Sequence, residues 1–295
     1  MERKDTMYYS PLRYPGGKAK LAPFMKVMID SLALKDGTYI EPFAGGAGIA
    51  LDLLLNDYVS HIVINDYDKA ISSFWKAVLI ENERFIEYIH NVPLNISEWQ
   101  RQKSILSQSK RYCFELGFAA FYLNRTNRSG IINGGPIGGK SQSGDWKMDA
   151  RFNREDLAER VSKIGKRRSD ISVYNKDVNS LITKYLYKYG NKTLIYFDPP
   201  YFAKGKQLYM NYFTLPDHKR IEKLIRDKVK CNWIITYDNA PDILKIYNNY
   251  NVKQYDLNYS VSQKRLASEL IIFPSNVNCP INKELEEKNI YINLR

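Results

Sequence analysis

Two short apolar runs near the start of the chain, Thr38-Tyr39-Ile40 and His61-Ile62-Val63-Ile64, constrain the fold more than any other feature. Each has the length of a buried strand, and each ends in a polar loop. Each then gives way to apolar residues at helical spacing, over Ile49 to Leu55 and over Lys69 to Leu79. Strand–loop–helix units in tandem call for crossover connections, which build a parallel sheet covered by helices. A helix over Leu21 to Leu34 precedes them, carried by Leu21, Phe24, Met25, Met28 and Leu32. The alternation stops near residue 82 and resumes at Ile171-Ser172-Val173-Tyr174. Leu194 to Phe197 and Trp233 to Thr236 are further strands, and Pro241 to Tyr247 a helix. Asp217 reads as the N-cap of a helix through Val229. Runs at Val252 to Leu257 and Leu270 to Phe273 are expected to pair as a terminal antiparallel hairpin.

The expected fold class is therefore α/β: a Rossmann-like, mostly parallel sheet ending in that hairpin, with an inserted, mainly helical domain. Residues 1–70 and 172–295 form the discontinuous sheet domain, and 71–171 the insert. The insert holds a polar stretch from Asn124 to Lys147 with Gly130, Gly134, Gly135, Gly138, Gly139 and Gly144, too long for an ordinary connector. It also concentrates charge. Between Trp99 and Asp170 fifteen Lys/Arg face seven Asp/Glu, a net of +8 out of +12 for the whole chain. A basic surface of that kind favours a polyanion. Cys113, Cys231 and Cys279 are scattered and odd in number, which argues against a zinc site or a disulfide framework and for free thiols in a reducing cytoplasm. No apolar run approaches the length of a membrane span, and Met1 to Tyr9 lacks the pattern of a secretory signal.

Three motifs carry chemistry. Phe43-Ala44-Gly45-Gly46-Ala47-Gly48 joins a strand end to a helix, where glycines allow close backbone approach and the helix offers unpaired N–H groups. Asp66 follows Gly45 by 21 residues at the end of the next strand, the place of an acid that accepts ribose hydroxyls. That pair alone also suits a nicotinamide dinucleotide, although it departs from G-x-G-x-x-G. Asp198-Pro199-Pro200-Tyr201 ends another strand. Its prolines fix φ and remove two donors, so a carboxylate and a carbonyl can face one –NH2 group while the tyrosine stacks on a flat base. An exocyclic amine is a poor nucleophile, and two acceptors that hold its hydrogens orient its lone pair. Tyr14-Pro15-Gly16-Gly17-Lys18 precedes the first helix as a cationic arm for a carboxylate or phosphate.

In this order the motifs resemble the Dam-type family of DNA adenine-N6 methyltransferases, across most of the chain. Arg13-Tyr14-Pro15-Gly16-Gly17-Lys18 is similar to its N-terminal motif and Glu41-Pro42-Phe43-Ala44-Gly45-Gly46 to its cofactor loop. Leu123-Asn124-Arg125-Thr126 is similar to the start of its recognition segment, and Tyr209 to His218, Ile235 to Asn239 and Glu269 to Ile272 to its later motifs. The resemblance implies S-adenosylmethionine as cofactor, S-adenosylhomocysteine as product and no metal. It implies cofactor contacts from Tyr14, Lys18, Glu41, Phe43, Ala44, Gly45, Gly46, Asp66, Asp177 and Asp198. Asp198, Pro199, Pro200 and Tyr201 are then catalytic, with the insert as target-recognition domain. Asn124, Arg125, Arg128, Lys140, Lys147 and Arg151 are its candidate contacts to double-stranded DNA. A cytoplasmic, nucleoid-associated monomer of prokaryotic or phage origin follows, with room for a restriction endonuclease acting separately on the same sequence. The string Asn127-Arg128-Ser129-Gly130-Ile131-Ile132-Asn133-Gly134 departs from members that read GATC, so the target sequence stays open. Asp-Pro-Pro-Tyr suits any planar amine. Cytosine N4, adenine in RNA and a protein glutamine remain alternatives, the last disfavoured by the basic insert. A DNA-binding module without catalysis would have no use for the complete motif set.

Overall fold

The computed structural model describes residues 9–13, 18–202, 213–258, 266–277, 280, 282–287, 290, 292 and 294. Among them runs a seven-stranded sheet of β1 (Thr38–Glu41), β2 (His61–Asn65), β3 (Ile171–Tyr174), β4 (Thr193–Phe197), β5 (Asn232–Asp238), β6 (Asn251–Asn258) and β7 (Leu266–Phe273). The strand order is β3-β2-β1-β4-β5-β7-β6. The helices are α1 (Ala22–Ser31), α2 (Gly48–Leu55), α3 (Lys69–Ile80), α4 (Asn82–Asn91), α5 (Ile96–Gln108), α6 (Phe114–Thr126), α7 (Arg154–Lys166), α8 (Val178–Lys184), α9 (Leu215–Lys228), α10 (Pro241–Ile246) and α11 (Asn282–Glu287). The chain divides into two compact units. One comprises Met1–Lys20, Gly45–Asn56 and Ile64–Asn175, the other Leu21–Ala44, Asp57–Val63 and Lys176–Arg295.

The first unit is built on aromatic side chains. Phe74 and Trp75 of α3, Phe85 of α4 and Phe114, Phe118 and Phe121 of α6 are all buried. Phe85 meets Phe74, Phe114, Phe118 and Phe121 at ring-centroid distances of 5.3 to 5.9 Å. Each such ring contributes roughly 2 kcal/mol by burial, with about 1 kcal/mol more for a well-placed edge-to-face pair. Helices α3 and α6 touch backbone to backbone: a Cβ on Gly117 would lie 2.5 Å from the Ser73 carbonyl oxygen. The polar stretch expected from Asn124 begins three residues later, because α6 runs to Thr126 and Asn127 is its C-cap. The polar residues at its end, Asn124, Arg125 and Thr126, are buried.

In the second unit β1 and β4 pair in parallel, Thr38 opposite Thr193, and β4 and β5 likewise, Phe197 opposite Ile235. β5 and β7 are antiparallel, as are β7 and β6, which form the expected terminal hairpin. β4 is buried along its length and therefore reads as a continuous apolar run. It stops at Asp198 because the prolines that follow cannot donate to a neighbouring strand. The N-cap of α9 is Thr214, not Asp217. Asp217 lies one turn inside, and its Oδ2 accepts from the Thr214 N–H at 2.9 Å and the Thr214 hydroxyl at 2.6 Å. The carboxylate thus closes a capping box instead of starting the helix.

Candidate active site

The Asp-Pro-Pro-Tyr tip of β4 is held from two neighbouring strands. Asp198 is half-buried and Pro199 buried. The Thr236 hydroxyl on β5 donates to Asp198 Oδ1 at 2.8 Å. Having spent its proton there, Thr236 Oγ1 accepts from the Tyr196 hydroxyl, also at 2.8 Å. Burial, reinforced by Asp198 itself, pushes the Tyr196 phenol well above its ordinary range, so it stays a donor. Tyr196 and Thr236 are both buried. The carboxylate is therefore oriented by a relay of two hydroxyls that water does not reach.

The tyrosine of the motif is tethered as well. The Tyr201 hydroxyl donates to Glu269 Oε1 at 2.8 Å, and Tyr255 on β6 donates to Glu269 Oε2 at 2.6 Å. Glu269, on β7, is 3% exposed. The Phe202 N–H donates to Asp238 Oδ1 at 2.8 Å, which fixes the backbone just beyond the motif. Behind it lies His218 of α9, fully buried, with Nδ1 and the Tyr237 hydroxyl 3.0 Å apart and the rings of Phe202 and Phe213 against its imidazole. Burial holds this histidine below its ordinary pKa, hence neutral. Phe43 packs edge-on against Phe213, with centroids 5.9 Å apart. Asp177 caps α8, its Oδ1 accepting from the N–H groups of Asn179 and Ser180. Glu41 is buried at the end of β1. The roles of Thr236 and Glu269 are not among those expected from the sequence. The available signal was a single carboxylate leading the apolar run Leu270 to Phe273.

In the first unit the glycine turn is fastened to the acid that follows it. The Gly45 N–H donates to Asp66 Oδ2 at 2.9 Å, and the Asp68 N–H donates to Asp66 Oδ1 at 2.9 Å. The Gly45 carbonyl accepts from the Trp75 indole at 2.9 Å. Gly45 has φ 47°, a conformation that favours glycine. Ala47, buried at the N-terminus of α2, adopts the same left-handed region. The turn that contains Lys18 lies against this helix start, since a Cβ on Gly48 would come 3.1 Å from the Ala19 Cβ. Lys18 itself is buried. Ala44 and Gly46 are buried too, whereas Tyr14 lies outside the described residues, as do Tyr209 to Tyr212 of the later motif.

Asn124 and Arg125 do not face outward as expected for DNA contacts. The Asn124 amide accepts from the Arg13 N–H at 2.7 Å and donates to the carbonyls of Arg13 (2.7 Å) and Gly130 (2.8 Å). It pairs with the backbone as a strand would, and ties the N-terminal segment to the loop. Gly130 completes the dock: its φ is +74° and a Cβ there would sit 2.3 Å from the Arg13 carbonyl oxygen. The Arg125 guanidinium donates to the carbonyls of Pro11 and Arg151. Burial, with Arg160 and Arg13 nearby, pulls its pKa to about 9, which leaves it charged at neutral pH. Arg128, Lys140, Lys147 and Arg151 are exposed. Asn124→Ala would strand one buried and two part-buried backbone groups and is expected to cost about 2 kcal/mol of stability, read as a lowered unfolding midpoint in urea.

No His/Cys/Asp/Glu group among the described residues could hold a metal, and no described helix is long and apolar enough to cross a membrane. A mostly parallel α/β sheet, a glycine turn bonded to an acid and an acceptor-bearing Asp-Pro-Pro-Tyr tip are the parts of an amino-group methyltransferase. A model of the D12 class N6 adenine-specific DNA methyltransferase family matches residues 14–261, and the chain belongs to that family. It is 25% identical over 266 residues to the type II methyltransferase M.MjaIII of Methanocaldococcus jannaschii, covering 82% of this chain and 89% of that one. Among solved structures it is similar to the rRNA methyltransferase AviRa of Streptomyces viridochromogenes, at 13% identity and TM-score 0.41 over 93% of this chain and 94% of that one. It is also similar to TrmK of M. capricolum in complex with S-adenosylhomocysteine, at 8% identity and TM-score 0.37 over 88% and 73%.

Proposed function

We propose that the chain methylates N6 of an adenine extruded from duplex DNA, using S-adenosylmethionine, and that Asp198, Pro199, Pro200 and Tyr201 form the reacting tip. The observation that carries this is the relay Tyr196–Thr236–Asp198, which holds one oxygen of a half-buried carboxylate at the end of β4. Asp198 and the Pro199 carbonyl accept the two N6 hydrogens and turn the nitrogen lone pair out of the ring plane. Tyr201 lays its ring against the base, which has been taken out of the stack at a cost of a few kcal/mol. Asp198 is also the group positioned to take the proton that the amine sheds on methylation. Residues 1–70 and 172–295 act as the catalytic part and 71–171 as the recognition insert, with Arg128, Lys140, Lys147 and Arg151 as its contacts to DNA. A restriction endonuclease acting separately on the same sequence is the further partner proposed.

The cofactor supplies an electrophilic methyl group on sulfur. The residues of the first unit fit its nucleoside part: each Asp66 oxygen accepts one backbone N–H and keeps a second lone pair for a ribose hydroxyl. Lys18, Gly45 and Gly46 of the first unit are the groups for the carboxylate end; the family resemblance adds Glu41, Phe43, Ala44 and Asp177 of the second unit as further cofactor contacts.

Burial pushes the Asp66 carboxyl up from 3.8 to about 7, against the pull of the Asp68 and Gly45 N–H bonds. Below that pH it is protonated and accepts less well. Cofactor affinity is therefore expected to fall about tenfold from pH 8 to pH 6, while Asp66→Asn binds weakly and without that dependence; calorimetric titration reads both. Folding runs the other way. A raised carboxyl pKa means that the free protein loses stability as pH climbs from about 4 through 7.

Incubation of unmodified duplex DNA with the purified chain and labelled cofactor, followed by digestion to nucleosides, tests the function. Label in N6-methyl-2′-deoxyadenosine supports it. Label on cytosine, or none on DNA while a parallel RNA substrate is labelled, contradicts it.

A further inference from the structure

In the first unit, a concavity of roughly 620 Å³ opens between α5 and the segment from Arg128 to Lys140. We propose that this groove reads the target sequence, with Gln100 and Arg128 as the side chains that bond to base edges. The inference rests on the DNA-methylating function proposed above and deepens it.

The groove has a fixed shape. Lys103 donates from Nζ to the carbonyls of Asn133 (3.2 Å) and Gly134 (3.3 Å), which joins the loop to α5. The Trp99 indole donates to Asn127 Oδ1 at 2.7 Å, and the Asn127 amide donates to the carbonyls of Ile131 and Ile132. The Arg128 N–H bonds to the Gly135 carbonyl at 3.0 Å and the Ile137 N–H to the Thr126 carbonyl at 2.8 Å. A loop pinned at so many points presents one surface.

Its chemistry suits DNA. The lining carries Lys103, Arg128 and Lys140 and no carboxylate. Among the described residues, the side chains of Gln100, Arg128 and Lys140 make no hydrogen bond or ion pair, although all three are exposed. Those are the groups needed for recognition: a guanidinium fork matches guanine O6 and N7, a carboxamide matches adenine N6 and N7, and an ammonium serves a phosphate. Gly135 in the lining adds an independent sign. Its φ is not positive, and a Cβ there would meet nothing within 4 Å. Neither backbone conformation nor internal packing requires a glycine there, and its lack of a side chain leaves the groove open to close approach by the duplex.

The test is single-molecule mapping of methylated adenines on unmodified genomic DNA by the wild-type chain and by Gln100→Ala, Arg128→Ala and Gly135→Leu. Gln100→Ala is expected to lose about tenfold discrimination at an A·T position of the recognised string, and Arg128→Ala about tenfold at a G·C position. Gly135→Leu, whose Cβ meets nothing within 4 Å, is expected to raise KM for DNA at least about tenfold with cofactor affinity unchanged. The same string with the same kinetics in all three variants would overturn the inference while leaving the function standing. Absence of methyladenine from the wild-type reaction would overturn the function itself.

Discussion

Asp198→Asn is expected to lower the single-turnover rate of methylation by about 10²- to 10³-fold while duplex affinity changes by no more than about twofold. The substitution keeps the shape of the side chain. Its amide oxygen still accepts from the Thr236 hydroxyl, so the relay from Tyr196 persists. The other side of the group becomes an –NH2 facing the amine of the base. Donor then opposes donor, and no carboxylate remains to take a proton. Duplex affinity is assigned to exposed cations on other residues, so it survives. Rapid-quench measurement with labelled cofactor, paired with a duplex-binding isotherm, separates the two. Wild-type turnover in Asp198→Asn would remove the carboxylate from the reaction.

Tyr201→Ala is expected to reduce kcat/KM for DNA by about 100-fold, since an aromatic platform under a single unstacked base contributes about 1–3 kcal/mol. Tyr201→Phe separates platform from tether. Phenylalanine can still stack, but it cannot bond to Glu269, and a loss of about tenfold concentrated in kcat is expected. Glu269→Gln keeps an acceptor for one of the two tyrosines and is expected to lose less than Tyr201→Phe. The double variant Tyr201→Phe/Glu269→Gln should lose less than the product of the two single losses, because both remove the same bond. Independent effects in that cycle would mean that Glu269 serves only Tyr255 and the stability of the terminal hairpin.

The strands and most of the helices were legible because their signals are local. A buried run such as Leu194 to Phe197 declares itself by composition, and the prolines after Asp198 mark its end. The placement of Asp198 and Asp66 at strand ends followed from the same reading. What escaped involved partners far apart in the chain. Asn124 looked like a polar group available to DNA, but its amide is consumed by Arg13, 111 residues earlier. No periodicity reveals such a pair. Arg125 misled for the same reason, its charge suggesting a surface although burial against the Pro11 and Arg151 carbonyls suits a guanidinium fork equally well. Asp217 was misassigned by one helical turn because an acid near a helix start fits both the N-cap and the third position. Only the Thr214 contacts distinguish them. The roles of Thr236 and Glu269 depended on strand register. Pairing of Phe197 with Ile235 brings the Thr236 hydroxyl to Asp198, a relation unavailable before the sheet order is known.

A crystal structure of the chain with S-adenosylhomocysteine and a duplex carrying its target measures the central claim directly. The expected result is one adenine out of the helical stack, its N6 within hydrogen-bonding reach of Asp198 and the Pro199 carbonyl and its ring face on Tyr201. An adenine still stacked in the duplex, or one whose amine meets groups other than the β4 tip, would contradict it.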